Sequence, residues 1–330
     1  MSSISQQVIN AVNVEIAYYM DHIPFYPSGL VPAALVEHSY RNVWIRDLYY
    51  IGICSEPDVR KIIWQAAVNV LDKYKWKLKH HAEVRPVHAY EYIHVRYSPD
   101  GNEIDEPWRH KQWDAIGNWI EICLDEGRYD LAELLVEYLY CVKFYKNPAA
   151  TAWEDTNAYD AYSFAAVAHA LQRAKQALSH KADRISYMVR KTVTRLYNLL
   201  PHAARTRHVC LSLLGVVWPF DCAGPYKKEI IQSVKDSLMR EPFGFIRYQG
   251  DSYDGEFMSR GYGNETPWLL GDCFMAKIEP DNPLWKERIN KAYNHFGCMP
   301  EAYRLEDMAP NRNTPLIWCE AMRYSILSGF

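Results

Sequence analysis

The sequence predicts an all-α protein, six helical hairpins closed into an (α/α)6 toroid, with short β-hairpins confined to the long rim loops. Three observations lead there. Apolar residues recur at helical spacing over a succession of stretches. The connections between those stretches alternate between short and long. The aromatic and charged motifs gather near the starts of every second stretch.

In chain order the predicted helices are 4–20, 33–53, 57–74, 110–126, 129–143, 155–176, 182–200, 208–217, 224–239, 265–277, 282–298 and 314–328. Ser55-Glu56-Pro57 opens the third with proline in its first turn, where a missing N–H costs nothing. Glu126-Gly127 closes the fourth, and Pro201 and Pro219 each follow a helical stretch. Two regions read as hairpins, 91–105 around Pro99-Asp100-Gly101 and 245–256 around Gly250-Asp251. Connections after even-numbered helices are short: 54–56, 127–128, 177–181, 218–223 and 278–281. Those after odd-numbered helices are mostly long: 21–32, 75–109, 144–154, 201–207, 240–264 and 299–313. With even helices as an inner ring and odd helices outside, the long loops crowd one rim, where function concentrates. An open helical-repeat array is the alternative, but no strong internal repeat supports it. Residues 1–330 are expected to form a single domain of this kind.

Composition narrows the function. The 49% hydrophobic and 14% aromatic content supplies a large core, and a formal charge of -3 lacks the basic footprint of a nucleic-acid binder. No run of about 18 apolar residues suits a bilayer. The opening Met-Ser-Ser-Ile-Ser-Gln-Gln has neither the basic start nor the apolar run of a secretory signal, so a cytoplasmic protein with reduced thiols is expected. The eight cysteines form no CxxC pair, which argues against structural zinc and a dense disulfide framework. His80, His81, His88 and His94 lack HExxH or another compact spacing and read as solvated or hydrogen-bonded; no metal is expected. No GxGxxG or P-loop sequence implies a nucleotide, and no cofactor is expected. The 25 tyrosines and 11 tryptophans suit stacking on sugar faces while hydrogen-bonding hydroxyls, and equally serve as core filler.

The motifs fall on even helices: Trp44-Ile45-Arg46-Asp47, His110-Lys111-Gln112-Trp113-Asp114, Trp153-Glu154-Asp155, Glu265-Thr266-Pro267-Trp268 and Pro315-Leu316-Ile317-Trp318. Glu154, where a loop turns into a helix, and Glu301, in the loop before the last helix, are the candidate catalytic pair. One carboxyl would protonate a glycosidic oxygen while the other draws a proton from water. The plainer readings are first-turn acids favoured by the helix dipole for Glu154 and Asp155. For Glu301 the plainer reading is a solvated member of the run Glu301, Glu306 and Asp307, with Glu306 the alternative base.

The order Trp-x-Arg-Asp, Trp-x3-Gln-x-Asp, Trp-Glu, Arg-Tyr-x2-Asp-x-Tyr, Pro-Trp and Glu followed by Pro-Leu-x-Trp resembles the glucoamylase-like glycoside hydrolases of family 15. The glucoamylase-like domains of phosphorylase kinase regulatory subunits are related to these. The resemblance runs from about residue 30 to the C-terminus. It implies Glu154 as general acid and Glu301 as general base, with Arg46, Asp47 and Arg247 holding the terminal sugar. Such a clamp uses the guanidinium's fixed fork of donors and the carboxylate's capacity to accept from two hydroxyls. Trp108 matches the substrate-stacking tryptophan, Trp153 lines the pocket, and the adjoining Trp44 and Asp155 complete the candidate substrate contacts. The plain alternatives are an internal ion pair for Arg46 and Asp47, a hairpin surface charge for Arg247, and a rim ring for Trp108. The chain departs from the pattern in two places: Ala302 follows the base where glutamine is usual, and Thr151 stands where fungal members carry an aspartate three residues ahead of the acid. The implied activity is that of an exo-acting, inverting α-glucosidase on short α-glucosides, needing no cofactor. A phosphorylase on the same toroid, which needs no carboxylate base, and a non-catalytic sugar-binding domain are the alternatives.

Overall fold

The computed structural model describes residues 17–19, 23–36, 38–253 and 265–329. Twelve α-helices lie among them: α1 (Ile45–Ile53), α2 (Pro57–Lys73), α3 (Lys75–His81), α4 (Trp113–Asp125), α5 (Tyr129–Val142), α6 (Ala161–Ala177), α7 (Ala182–Tyr197), α8 (Leu213–Val217), α9 (Lys227–Leu238), α10 (Leu270–Ile278), α11 (Pro283–Phe296) and α12 (Ile317–Ser328). The strands are short antiparallel pairs: β1 (Ala17–Tyr19) with β2 (Ile23–Phe25), β3 (Val43–Trp44) with β4 (Arg96–Tyr97), and β5 (Ala149–Ala150) with β6 (Asn157–Ala158).

Six helices close a ring. α1 packs on α4, α4 on α6, α6 on α8, α8 on α10, α10 on α12, and α12 returns to α1. α2, α5, α7, α9 and α11 each pack against the inner helix that precedes them. The residue patterns explain the two layers. Every residue from Trp113 to Leu124 of α4 is buried, as befits a helix with neighbours all round. Outer α7 buries only the stripe Ile185, Met188, Thr192 and Leu196. Inner helices also approach closely: a Cβ on Gly117 of α4 would stand 2.9 Å from the backbone of Ala166 in α6.

The prediction of an all-α toroid agrees with this architecture, with corrections at element ends. In the stretch predicted as helix 33–53 the α-helix begins only at Ile45, preceded by one 3-10 turn at Ser39–Arg41. Residues 33–36 and 38–44 bond across the chain instead, Ala33 N donating to Asn42 O and Ala34 N to Tyr40 O, so the apolar spacing reflects tertiary burial and not a helix face. The predicted start at 155 moves to Ala161, because Asp160 caps α6 by accepting from Ser163 N at 2.9 Å. α3 lies inside the predicted 75–109 loop. The 91–105 hairpin survives only as a turn, with Tyr97 opposite Glu103; β4 pairs instead with the distant β3. Around 245–256, Phe245 bridges both Met239 and Trp268, and residues 254–264 lie outside the described residues. The predicted helix 4–20 lies almost wholly outside them too, while its members Ala17–Tyr19 form a strand. Among the described residues, no helix is long and apolar enough to cross a membrane.

Candidate active site

The long loops and the N-terminal ends of the inner helices enclose two joined cavities. An outer one of about 450 Å³ is lined by His38, Trp108, Arg109 and Arg312 among others. A narrower inner one of about 80 Å³ is lined by Arg46, Asp47, Arg247, Trp268, Glu301 and Trp318 among others. Tyr40, Trp44, Trp153, Glu154 and Tyr253 line both and mark the junction. The outer volume falls in the range usual for small-molecule sites.

Glu154 reaches the junction from a tight turn and not from a helix start. β5 and β6 flank the turn, closed by Thr151 N donating to Thr156 O at 3.1 Å and Glu154 N to Thr151 O at 2.9 Å. Glu154 itself has φ 59°, left-handed backbone that a non-glycine residue adopts only under constraint. The Gln112 amide donates to Glu154 Oε1 at 2.8 Å and to Arg109 O at 2.9 Å. Burial pushes the Glu154 carboxyl above the ordinary glutamate range, against the downward pull of Arg46 and Gln112.

Glu301 is built differently. Its Oε2 accepts from Asn313 Nδ2 at 2.6 Å, Asn311 Nδ2 at 2.7 Å and the Tyr253 hydroxyl at 2.8 Å. The Tyr40 hydroxyl lies 2.8 Å from that of Tyr253, extending the network. Burial raises this carboxyl too, while Asn313, Asn311, Tyr40 and Tyr253 oppose the rise. Three donors on one oxygen favour the ionised form, which only accepts.

Arg46 and Asp47 lie side by side at the start of α1, but they are not equivalent. Arg46 donates to Asp114 at 2.7 Å and Gln112 at 2.6 Å, with Nη1 left facing Glu154 at 3.8 Å. It is therefore largely an internal ion pair that also bounds the cavity. Asp47 lines the inner cavity; burial lifts its carboxyl to about 7, with Arg46 pulling it down and Glu154 and Glu301 pushing it further up. Arg247 is held in a fork by Asp251 at 2.6 and 2.7 Å and sits among the rings of Tyr253, Trp268 and Trp153 at 4.3–5.3 Å. Trp108 walls the outer cavity, with the Arg96 guanidinium 4.0 Å over its ring. Trp44 packs edge-on to Trp108 at 6.0 Å. Trp153 donates to Cys210 Sγ at 3.0 Å.

Asp155 is the predicted contact that the structure keeps apart from this group, for it lines neither cavity. Arg207, the Tyr248 hydroxyl and Thr151 donate to it at 2.7–2.8 Å. Burial pushes its carboxyl up, but these bonds more than reverse that and hold it well below the usual range. Thr151, standing where an aspartate was expected, thus braces the turn from behind. Sequence reasoning gave no role to Tyr40, Gln112, Asp114, Tyr253, Asn311 or Asn313. Gln112, Asp114 and Tyr253 sat inside the motifs, and the spacing Asn311-Arg312-Asn313 was the one signal for the amides. Among the described residues, no group of three or more His, Cys, Asp and Glu could hold a metal ion. Buried His94 and His110 stack at 3.6 Å instead, and burial lowers them to about 4 and about 3.

Comparison with solved structures shows a fold shared with glycosidases of the glucoamylase type. A glycosidase variant in complex with glucose superposes with a TM-score of 0.74 at 17% identity, over 98% of this chain and 95% of that one. The glucoamylase from Saccharomycopsis fibuligera gives 0.63 at 13% identity over 98% and 92%, and a glycoside hydrolase family 15 glucoamylase from Hypocrea jecorina gives 0.61 at 11% over 91% and 67%. No protein-family model matches the sequence, and no curated protein matches it.

Proposed function

We propose that the protein is an inverting, exo-acting α-glucosidase of short α-glucosides, with Glu154 as acid and Glu301 as base. One observation carries this reading: Glu154 lines both cavities, whereas Glu301 lines only the inner one. A terminal sugar in the inner cavity and a leaving group in the outer one put the bond between them at Glu154. The Glu154 proton passes to the glycosidic oxygen as the C–O bond breaks. Glu301 takes a proton from water as the water oxygen bonds the anomeric carbon from the opposite side. Burial raises both carboxyls, and their donors set them apart: the Gln112 amide donates to Glu154 at the junction, whereas three amide and phenol donors on one Glu301 oxygen oppose its protonation. Asp47 and Arg247 bound the space for the terminal sugar. The narrowing from about 450 to about 80 Å³ suits a chain end over an internal segment.

The test is a panel of glucose disaccharides with free glucose scored and the released anomer followed by NMR. The proposal expects β-glucose without phosphate. Release of α-glucose refutes inversion, and phosphate-dependent release of glucose 1-phosphate favours the phosphorylase. Glu154→Gln and Glu301→Gln are each expected to cut kcat by about 10²–10⁴-fold; retention of activity in both favours a binding domain.

A further inference from the structure

We infer that the leaving group of the substrate carries an anionic substituent, a carboxylate or a phosphate, received by Arg109 and Arg312 at the mouth of the outer cavity; this rests on the glycosidase reading above. Both side chains are exposed, both line that cavity, and neither guanidinium has a carboxylate partner among the described residues. The remaining lining is aromatic or neutral except for Glu154 at the junction and His38, and His38 is occupied: its Nε2 lies 3.3 Å from Arg312 O and its Nδ1 accepts from Tyr40 N.

The backbone registers each arginine to one of the two carboxylates. Arg109 O accepts from the Gln112 amide that also holds Glu154. Arg312 stands between Asn311 and Asn313, whose side chains both turn inward to Glu301, leaving the intervening one to face the mouth. The backbone beneath each arginine is thus anchored to the site, so both side chains project from defined points at the mouth. A neutral leaving group needs neither, whereas the planar fork matches a carboxylate or phosphate in two parallel bonds. The inner carboxylates Asp47 and Glu301 line only the inner cavity, so the positive mouth admits an anion without setting it against them.

The experiment compares kcat/KM for maltose and maltitol, both neutral, with maltobionate and with maltose bearing a 6-phosphate on its reducing glucose. The two charged arms separate carboxylate from phosphate, and maltitol controls for ring opening in maltobionate. The expected result is an advantage of about tenfold or more for at least one anion over its neutral counterpart. That advantage shrinks as salt rises and falls toward one in Arg109→Gln and Arg312→Gln. Equal or lower rates for both anions, or an advantage untouched by both substitutions, overturn the inference while leaving the glycosidase reading intact. If none of the four is cleaved, the disaccharide panel above decides the glycosidase reading separately. Titration calorimetry of the same four compounds then decides: tighter binding of an anion, lost in the two variants, upholds the inference, and equal affinities overturn it.

Discussion

At residue scale, Glu154 carries its carboxyl on a backbone that glycine would prefer. A left-handed non-glycine residue costs on the order of 1 kcal/mol, and the turn from Thr151 to Thr156 sustains that cost. Glu154→Gly is therefore expected to abolish hydrolysis and yet raise Tm by about 1–2 °C, read by calorimetry; a lowered Tm means the Gln112 bond outweighs the strain. Asn313 makes a second case. Its amide stabilises the ionised form of Glu301, so Asn313→Ala lifts that carboxyl further, and the acid limb of the kcat/KM profile moves to higher pH. An unmoved limb assigns that limb to another group. Such roles were legible in part. Glu154, Glu301, Arg46, Asp47, Trp44, Trp108, Trp153 and Arg247 meet around one pair of cavities because each lies in a motif at the same rim. Asp155 escaped the reading because the left-handed residue before it turns its side chain to the far side of the loop. Tyr40 acts through the distant Tyr253, and isolated polar residues in separate loops carry no periodic signal.

At element scale, the toroid was readable because a helix buried all round and a helix buried on one stripe differ in sequence, as α4 and α7 do. Helix beginnings were less so. Two-residue strands such as β3 and β5 are too short for a period-2 pattern, and buried apolar residues at 33–35 mimic a helix face. The contact of α4 with α6 yields a sharp expectation at Gly117. An added Cβ meets the backbone carbon and oxygen of Ala166 at 2.9 Å, and backbone cannot step aside as a flexible side chain can. Gly117→Ala is expected to destabilise the protein by about 3 kcal/mol in urea unfolding. A loss under about 1 kcal/mol would show the two helices are free to part, and the inner ring looser than its packing indicates.

At the scale of the whole molecule, the ring concentrates carboxyls in its interior, and that couples stability to pH. Burial lifts Asp47, Asp160 and Glu121 each to about 7, against ordinary values near 4. For such groups the folded state holds protons that the unfolded state has released. The stabilisation is complete below the unfolded pKa and is lost as pH rises through about 7. His94 and His110, lowered by burial, work oppositely: their contribution is full above about 6.5 and falls away in acid. The two sets offset one another between about pH 4 and 6.5, and above that only the carboxyls still titrate. Tm is thus expected to fall between pH 6 and pH 8. Asp160 isolates the effect, since its Oδ1 caps α6 while Oδ2 is buried without a hydrogen-bond partner. Asp160→Asn keeps the capping oxygen and removes the titrating one, so the variant should show a shallower fall over that range, with the larger gain at pH 8. Parallel Tm curves for the two proteins would mean that Asp160 is not a source of the pH dependence, and that the proton uptake resides in the other raised carboxyls, Asp47 and Glu121 among them.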